Sequence, residues 1–119
     1  MAPCFAAFIT SPNWARAGLR YDSSIGFAEE IGFRAGVCLE YPVFDLEERR
    51  TLALRERPLV VMEGAALDRL GLSRADASAA IAELRDTCRR YRGAFTLLWH
   101  NSRLVYAAER RLYLAGLGD

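Results

Sequence analysis

The stretch Gly93-Ala94-Phe95-Thr96-Leu97-Leu98-Trp99-His100-Asn101 decides how this chain is read. A glycine opens it, an apolar run follows from Ala94 to Trp99, and two polar residues close it. An amphipathic segment precedes the glycine. That order is the pattern of a buried parallel strand following a crossover helix. In sheets and barrels of that kind, chemistry collects at the carboxyl ends of the strands. His100, the only histidine of the chain, falls at that end together with Asn101.

Working outward, Leu59-Val60-Val61-Met62 behind Pro58 is a second compact apolar run and the second candidate for a buried strand, with Glu63-Gly64 ending it. A short helix is expected around Ala65 to Leu70, stopped by Gly71. Ser73-Arg74-Ala75-Asp76 then has the form of a helix-opening cap. In the helix it opens, Ala77, Ile81, Leu84, Cys88 and Tyr91 recur at spacings of four and three and lay down one apolar stripe. Glu83, Arg85, Asp86, Arg89 and Arg90 occupy the other faces, and Gly93 is the stop. Leu59 to Trp99 therefore reads as a βαβ unit with parallel strands.

The flanks carry weaker signals. Pro12 to Ala17 reads as a short helix stopped by Gly18, and Leu19 to Ile25 as a strand with its exit loop. Glycines at 26, 32 and 36 indicate irregular structure around Arg34, which stands alone among apolar neighbours. Val43 to Arg57, with its Glu47-Glu48-Arg49-Arg50 block, is open between a surface turn and a strand. Leu104 to Leu117 has helical spacing and is expected to pack as a last helix.

Composition narrows the function classes. The chain has 119 residues, 52% of them hydrophobic, enough for one domain with a modest core. All 16 basic residues are arginine, but 15 acidic residues offset them to a net charge of +1, so a nucleic-acid partner is disfavoured. Cys4, Cys38 and Cys88 form no Cys-x-x-Cys and stand with a single histidine, which indicates buried thiols and no metal site within this chain. The apolar run Phe5 to Ile9 lacks a preceding basic residue, and no stretch approaches the roughly 20 apolar residues of a bilayer span. A soluble chain with no membrane association and no address is expected.

The ordered set Tyr21-Asp22-Ser23-Ser24, Gly32-Phe33-Arg34-Ala35-Gly36-Val37-Cys38, Pro58-Leu59-Val60-Val61-Met62 and Leu97-Leu98-Trp99-His100-Asn101 resembles the C-terminal half of a polysaccharide deacetylase of the NodB-homology family. The resemblance is strongest over residues 18–101 and places all 119 residues in one partial domain. It implies an α/β fold, the C-terminal part of a distorted (β/α) barrel, truncated here. The family removes acetyl groups from N-acetylated sugars with zinc or another divalent metal. Leu98-Trp99-His100 matches its Leu-x-His motif. His100 would then be the general acid, a task suited to a group that titrates near neutrality. Leu98 would line the acetyl pocket, with Trp99 and Arg34 also on the substrate side.

The same resemblance fixes what is missing. The family's metal ligands, an aspartate and a His-x-x-x-His pair, have no counterpart here, so no cofactor is expected in this chain alone. A carbohydrate substrate and a missing N-terminal half are the expected partners, and the isolated chain is expected to be inactive. A reading from a different class is a non-catalytic α/β remnant or interaction module that self-associates through open sheet edges. Bland readings stand beside each signal: His100 as a hydrogen-bonding strand-end residue, Arg34 as a salt-bridge partner, and Tyr21 to Ser24 as a turn held by its own side chains.

Overall fold

The computed structural model describes residues 12–118. The expectations for Cys4, the run Phe5 to Ile9 and Ser11 lie outside the described residues. Helix α1 (12–16) ends at Gly18, whose φ of +83° is a left-handed conformation suited to glycine, as the sequence pattern predicts. Strand β1 (Tyr21–Asp22) follows.

The open segment from Val43 to Arg57 is a hairpin. Strand β2 (Tyr41–Asp45) pairs antiparallel with β3 (Arg50–Glu56), and the charged block forms the turn between them. Asp45 makes that turn: its Oδ1 accepts from the backbone N–H groups of Glu47 at 2.9 Å and Glu48 at 3.2 Å. In β3, Leu52, Leu54 and Glu56 are buried and their alternate neighbours exposed, the two-residue period of a sheet with one wet face. β1 joins the other side of β3 in parallel, giving a three-stranded sheet of order β1-β3-β2.

The βαβ unit is present. Strands β4 (Val61–Met62) and β5 (Leu97–Leu98) pair in parallel, Val61 opposite Leu97 and Met62 opposite Leu98. Between them run a π-helical turn (Ala65–Arg69) and helix α2 (Arg74–Arg90). Ser73 caps α2 as the sequence indicates, its Oγ accepting from the Asp76 N–H at 3.1 Å. The expected stripe is buried at Ala77, Ile81 and Cys88 and half-buried at Leu84. Tyr91 departs from it at 64% exposed, because the helix has ended and Tyr91 is its C-cap residue.

Both strands are shorter than their apolar runs predict, and β5 is also wetter, whereas Val60 and Val61 are buried as expected. Only Leu97 and Leu98 of the Ala94–Trp99 run pair, and Leu98 is 41% exposed. Among the described residues β4 and β5 pair only with each other, so neither has a second ladder there to extend it. The result is a mixed α/β fold with two small sheets and no closed barrel among the described residues.

The tail is helical in two pieces, a 3₁₀ turn (Asn101–Val105) and helix α3 (Ala107–Leu117). α3 packs on α2 through Gly116, where an added Cβ would stand 3.3 Å from Ile81 Cγ2. Arg85 ties the end of α3 down by donating to the carbonyls of Ala115 at 2.8 Å and Gly116 at 3.3 Å. The core under β4 and β5 consists of Cys38, Val60, Val61, Ile81 and Cys88, with Phe33, Leu84, Phe95 and Trp99 packed against it.

Candidate functional site

Parallel pairing of β4 with β5 brings the residues just beyond both carboxyl ends together. Glu63 follows Met62 directly, and His100 stands two residues past Leu98. One carboxylate oxygen, Glu63 Oε1, accepts twice from His100: from its backbone N–H at 3.1 Å and from its ring at Nδ1. The Glu63 side chain is fully buried and the His100 side chain 58% exposed. The imidazole is thus pinned by its inner nitrogen while its outer face meets solvent. With Nδ1–H donated to the carboxylate, Nε2 is the nitrogen that can exchange a proton with a bound molecule.

A buried carboxylate needs more than one partner. The second is supplied by the turn that His100 starts. The His100 carbonyl accepts the Arg103 N–H at 3.1 Å, closing the 3₁₀ turn and sending the Arg103 guanidinium back under the site. There its Nε lies 3.5 Å from Glu63 Oε1, and its other nitrogens meet Asp68 Oδ2 and Glu109 Oε1, the last at 3.8 Å. Arg110 holds the same turn from α3 by donating to the carbonyls of Leu104 at 2.7 Å and Val105 at 3.0 Å. Glu63 Oε2, Glu109 Oε2 and Trp99 Nε1 are buried without a hydrogen-bond partner among the described residues, so polar capacity remains at the site.

The sequence-derived site residues lie on two segments of the chain. His100, Leu98 and Trp99 belong to this strand end: Leu98 is exposed, and Trp99 is half-buried with its ring edge-on to Tyr113 at 5.6 Å. Arg34 lies in the loop between β1 and β2, where its guanidinium donates to the Gly26 carbonyl at 2.9 Å. Glu63, Arg103 and Glu109 did not emerge from sequence reasoning. The available signal was an acidic residue ending the apolar run Leu59–Met62 at the edge of the core, a position where an unpaired charge is not tolerated.

The Tyr21–Ser24 segment has a different character. Asp22 Oδ1 accepts from the Ser24 N–H at 3.1 Å and the Ser24 hydroxyl at 2.8 Å, a turn held by its own side chains. Opposite Asp22 in the sheet is Glu56, 2% exposed, with Oε1 accepting the Ile25 N–H at 3.0 Å. Burial, reinforced by the neighbouring Asp22 charge, raises the Glu56 carboxyl to about 7. On the hairpin's wet side, Arg57 and Arg55 both pair with Glu40 at 2.5 Å and hold that carboxyl below its usual range. Arg57 also stacks over Tyr21, 4.0 Å from the ring centre.

Among the described residues no three His, Cys, Asp or Glu side chains are arranged to hold a metal ion, and no helix is long and apolar enough to cross a membrane. Comparison with known proteins leaves the site to be read from its own geometry: no family model, no curated protein and no solved structure matches this chain.

Proposed function

We propose that this chain is the half of a metal-dependent carbohydrate deacetylase that carries the general-acid histidine but not the metal ligands, the whole being a hydrolase of the C–N amide bond of an N-acetylated sugar. The observation that carries this reading is His100. Its imidazole is held through Nδ1 by a buried carboxylate, at the carboxyl end of a parallel strand pair, with its ring half in solvent. Amide hydrolysis needs a proton at the departing nitrogen as the C–N bond breaks, and an imidazolium ring held through Nδ1, with its second proton on the outward Nε2, delivers one. Leu98, exposed beside it, offers an apolar wall for an acetyl methyl group.

The metal of such an enzyme finds no ligand set among the described residues. In this reading the ion belongs with a complementary half that also completes a distorted (β/α) barrel around β4 and β5. No step involving that ion is assigned to residues of this chain.

A second reading has its own support. Phe44 and Leu46 are 50% and 57% exposed at the hairpin tip, and among the described residues both sheets have open edges, which suits an interaction module without catalysis.

The deciding experiment joins this chain to a half that carries the aspartate and His-x-x-x-His ligands and assays release of acetate from an N-acetylglucosamine oligomer. Activity is expected, and His100→Ala is expected to lower kcat by about 10²–10⁴-fold with metal binding intact. Tyr106→Phe, 65% exposed at the start of α3, is the control. An active fusion whose His100→Ala variant keeps full kcat and an unaltered pH profile removes the assignment of the acid.

A further inference from the structure

The segment after α2 passes between two thiols. The Gly93 N–H donates to the Cys88 carbonyl and the next N–H, that of Ala94, donates to the Cys38 carbonyl, both at 2.8 Å. Cys38 presses so closely on Gly93 that an added Cβ there would stand 2.3 Å from its sulfur. The glycine is therefore what admits the Cys38 side chain into the space beside Cys88. Both cysteines are free and buried, 6% and 1% exposed, in one apolar cluster. The Cys88 thiol shares that cluster with Cys38, and burial, reinforced by Cys38, pushes it up to about 12.

The two sulfurs differ in access. Cys38 lines a groove of about 240 Å³ whose other walls include Phe33, Val37, Leu39, Thr87 and Tyr91, and Cys88 does not line it. A reagent that enters the groove meets Cys38 first. The walls are apolar, which favours a small, flat or aromatic disulfide over a charged one.

We propose that Cys38 and Cys88 form an oxidisable dithiol that closes to an intramolecular disulfide by exchange with a small disulfide entering this groove. The Cys38 thiolate attacks one sulfur of the reagent, forming a mixed disulfide and expelling one reagent thiolate. Cys88, adjacent, loses its proton and attacks the Cys38 sulfur, and the second reagent thiolate leaves. Two thiol hydrogens and one reagent disulfide become one protein disulfide and two reagent thiols. The new bond, about 2.05 Å long, would tie the loop ahead of β2 to the last turn of α2.

The test uses the full chain with Cys4→Ser, so that only these two thiols respond, and 4,4′-dithiodipyridine, an uncharged aromatic disulfide, as the oxidant. Two equivalents of 4-thiopyridone should be released per folded chain. Mass spectrometry should find a chain lighter by two hydrogens, free of reagent, with the peptides containing residues 38 and 88 linked within one chain. Cys88→Ser should release one equivalent and retain the reagent on Cys38. Cys38→Ser should react more slowly, on the order of tenfold or more, because its remaining thiol is the inaccessible one. Stable reagent adducts on both cysteines, a disulfide between two chains, or no release until denaturant is added would each overturn the proposal. These readings come from the Cys4→Ser chain itself and do not depend on either further variant folding.

Discussion

Glu63 Oε1 accepts from His100 at two points, the backbone N–H and the ring, so one buried oxygen sets both where the chain turns and how the imidazole faces. Removing the carboxylate should therefore be felt twice. Glu63→Ala leaves the Arg103 guanidinium short of a buried partner and opens a cavity under β4, at an expected cost of about 3–5 kcal/mol in chemical denaturation. Glu63→Gln keeps an acceptor at Oε1 and should cost less, about 1–2 kcal/mol. The discriminating measurement is the His100 ring in NMR spectra of the two folded variants. A single sharp environment in Glu63→Gln and averaged signals in Glu63→Ala are expected. Identical ring signals in wild type and Glu63→Ala would show that Glu63 does not orient the histidine.

How much of this site was legible follows from where its parts lie in the chain. His100 was visible as the lone histidine ending an apolar run, and the βαβ unit as two apolar runs around a capped helix, because those signals are local. The Glu63 contact spans 37 positions and exists only through the register of a parallel pair, which no local pattern encodes. The hairpin at Tyr41–Glu56 was obscured because the charges that form its turn interrupt the alternation that marks its strands. The length of the two parallel strands was overestimated for the opposite reason. Ala94–Trp99 is apolar but for Thr96, yet an apolar run becomes a long buried strand when neighbours supply hydrogen bonds on both sides, and among the described residues β5 has a neighbour on one. The barrel rests on the family resemblance alone and stays a proposal.

Gly93 was read as a helix stop, and its larger role is close approach. An added Cβ would stand 2.3 Å from Cys38 Sγ and 2.8 Å from the Cys38 carbonyl oxygen, and the second of these is backbone that cannot swing away. Gly93→Ala should destabilise the chain by about 1–3 kcal/mol or more. Gly64→Ala is the contrast: its nearest neighbour would be 3.7 Å away and its φ and ψ of −61° and −34° are helical, so a gain of about 0.4–1 kcal/mol is expected. Equal midpoints of urea unfolding for the two variants would refute the packing argument.

The strand edges make a prediction about assembly. Among the described residues β1 and β2 are the outer strands of their sheet, both strands of the second sheet lack a further partner strand, and Leu19, Tyr21, Phe44 and Leu46 are each at least 50% exposed beside them. Unpaired edges flanked by apolar side chains recruit further strands. The isolated chain should therefore elute above its monomer mass in size-exclusion chromatography with light scattering. Phe44→Lys with Leu46→Lys, which places charge at the hairpin tip, should shift it toward monomer. A monodisperse wild-type monomer with a cooperative, high melting transition would show that these edges are sufficiently protected as they stand.

Glu56 gives the chain a definite pH dependence of stability. Its carboxyl is 2% exposed, accepts the Ile25 N–H, and faces Asp22 across the β1–β3 pair. Burial first, then the Asp22 charge, raises it from 4.5 to about 7 in the folded chain. The unfolded chain releases this proton near the ordinary value, the folded chain only near 7, so between these limits unfolding releases a proton. The stabilisation is fully present below about pH 4.5, declines as pH rises, and is gone above about pH 7, a total on the order of 3 kcal/mol at about 1.4 kcal/mol per unit. Glu56→Gln stays neutral at every pH. Its Oε1 can accept from Ile25 and its amide can donate to Asp22, so the hydrogen bonds of the protonated acid are kept. Urea unfolding from pH 5 to pH 8 should then show wild-type stability falling relative to Glu56→Gln, and Glu56→Gln the more stable of the two at pH 8. Parallel pH profiles for the two proteins would mean that Glu56 is ionised in the folded sheet across this range, with Asp22 or solvent taking up the charge.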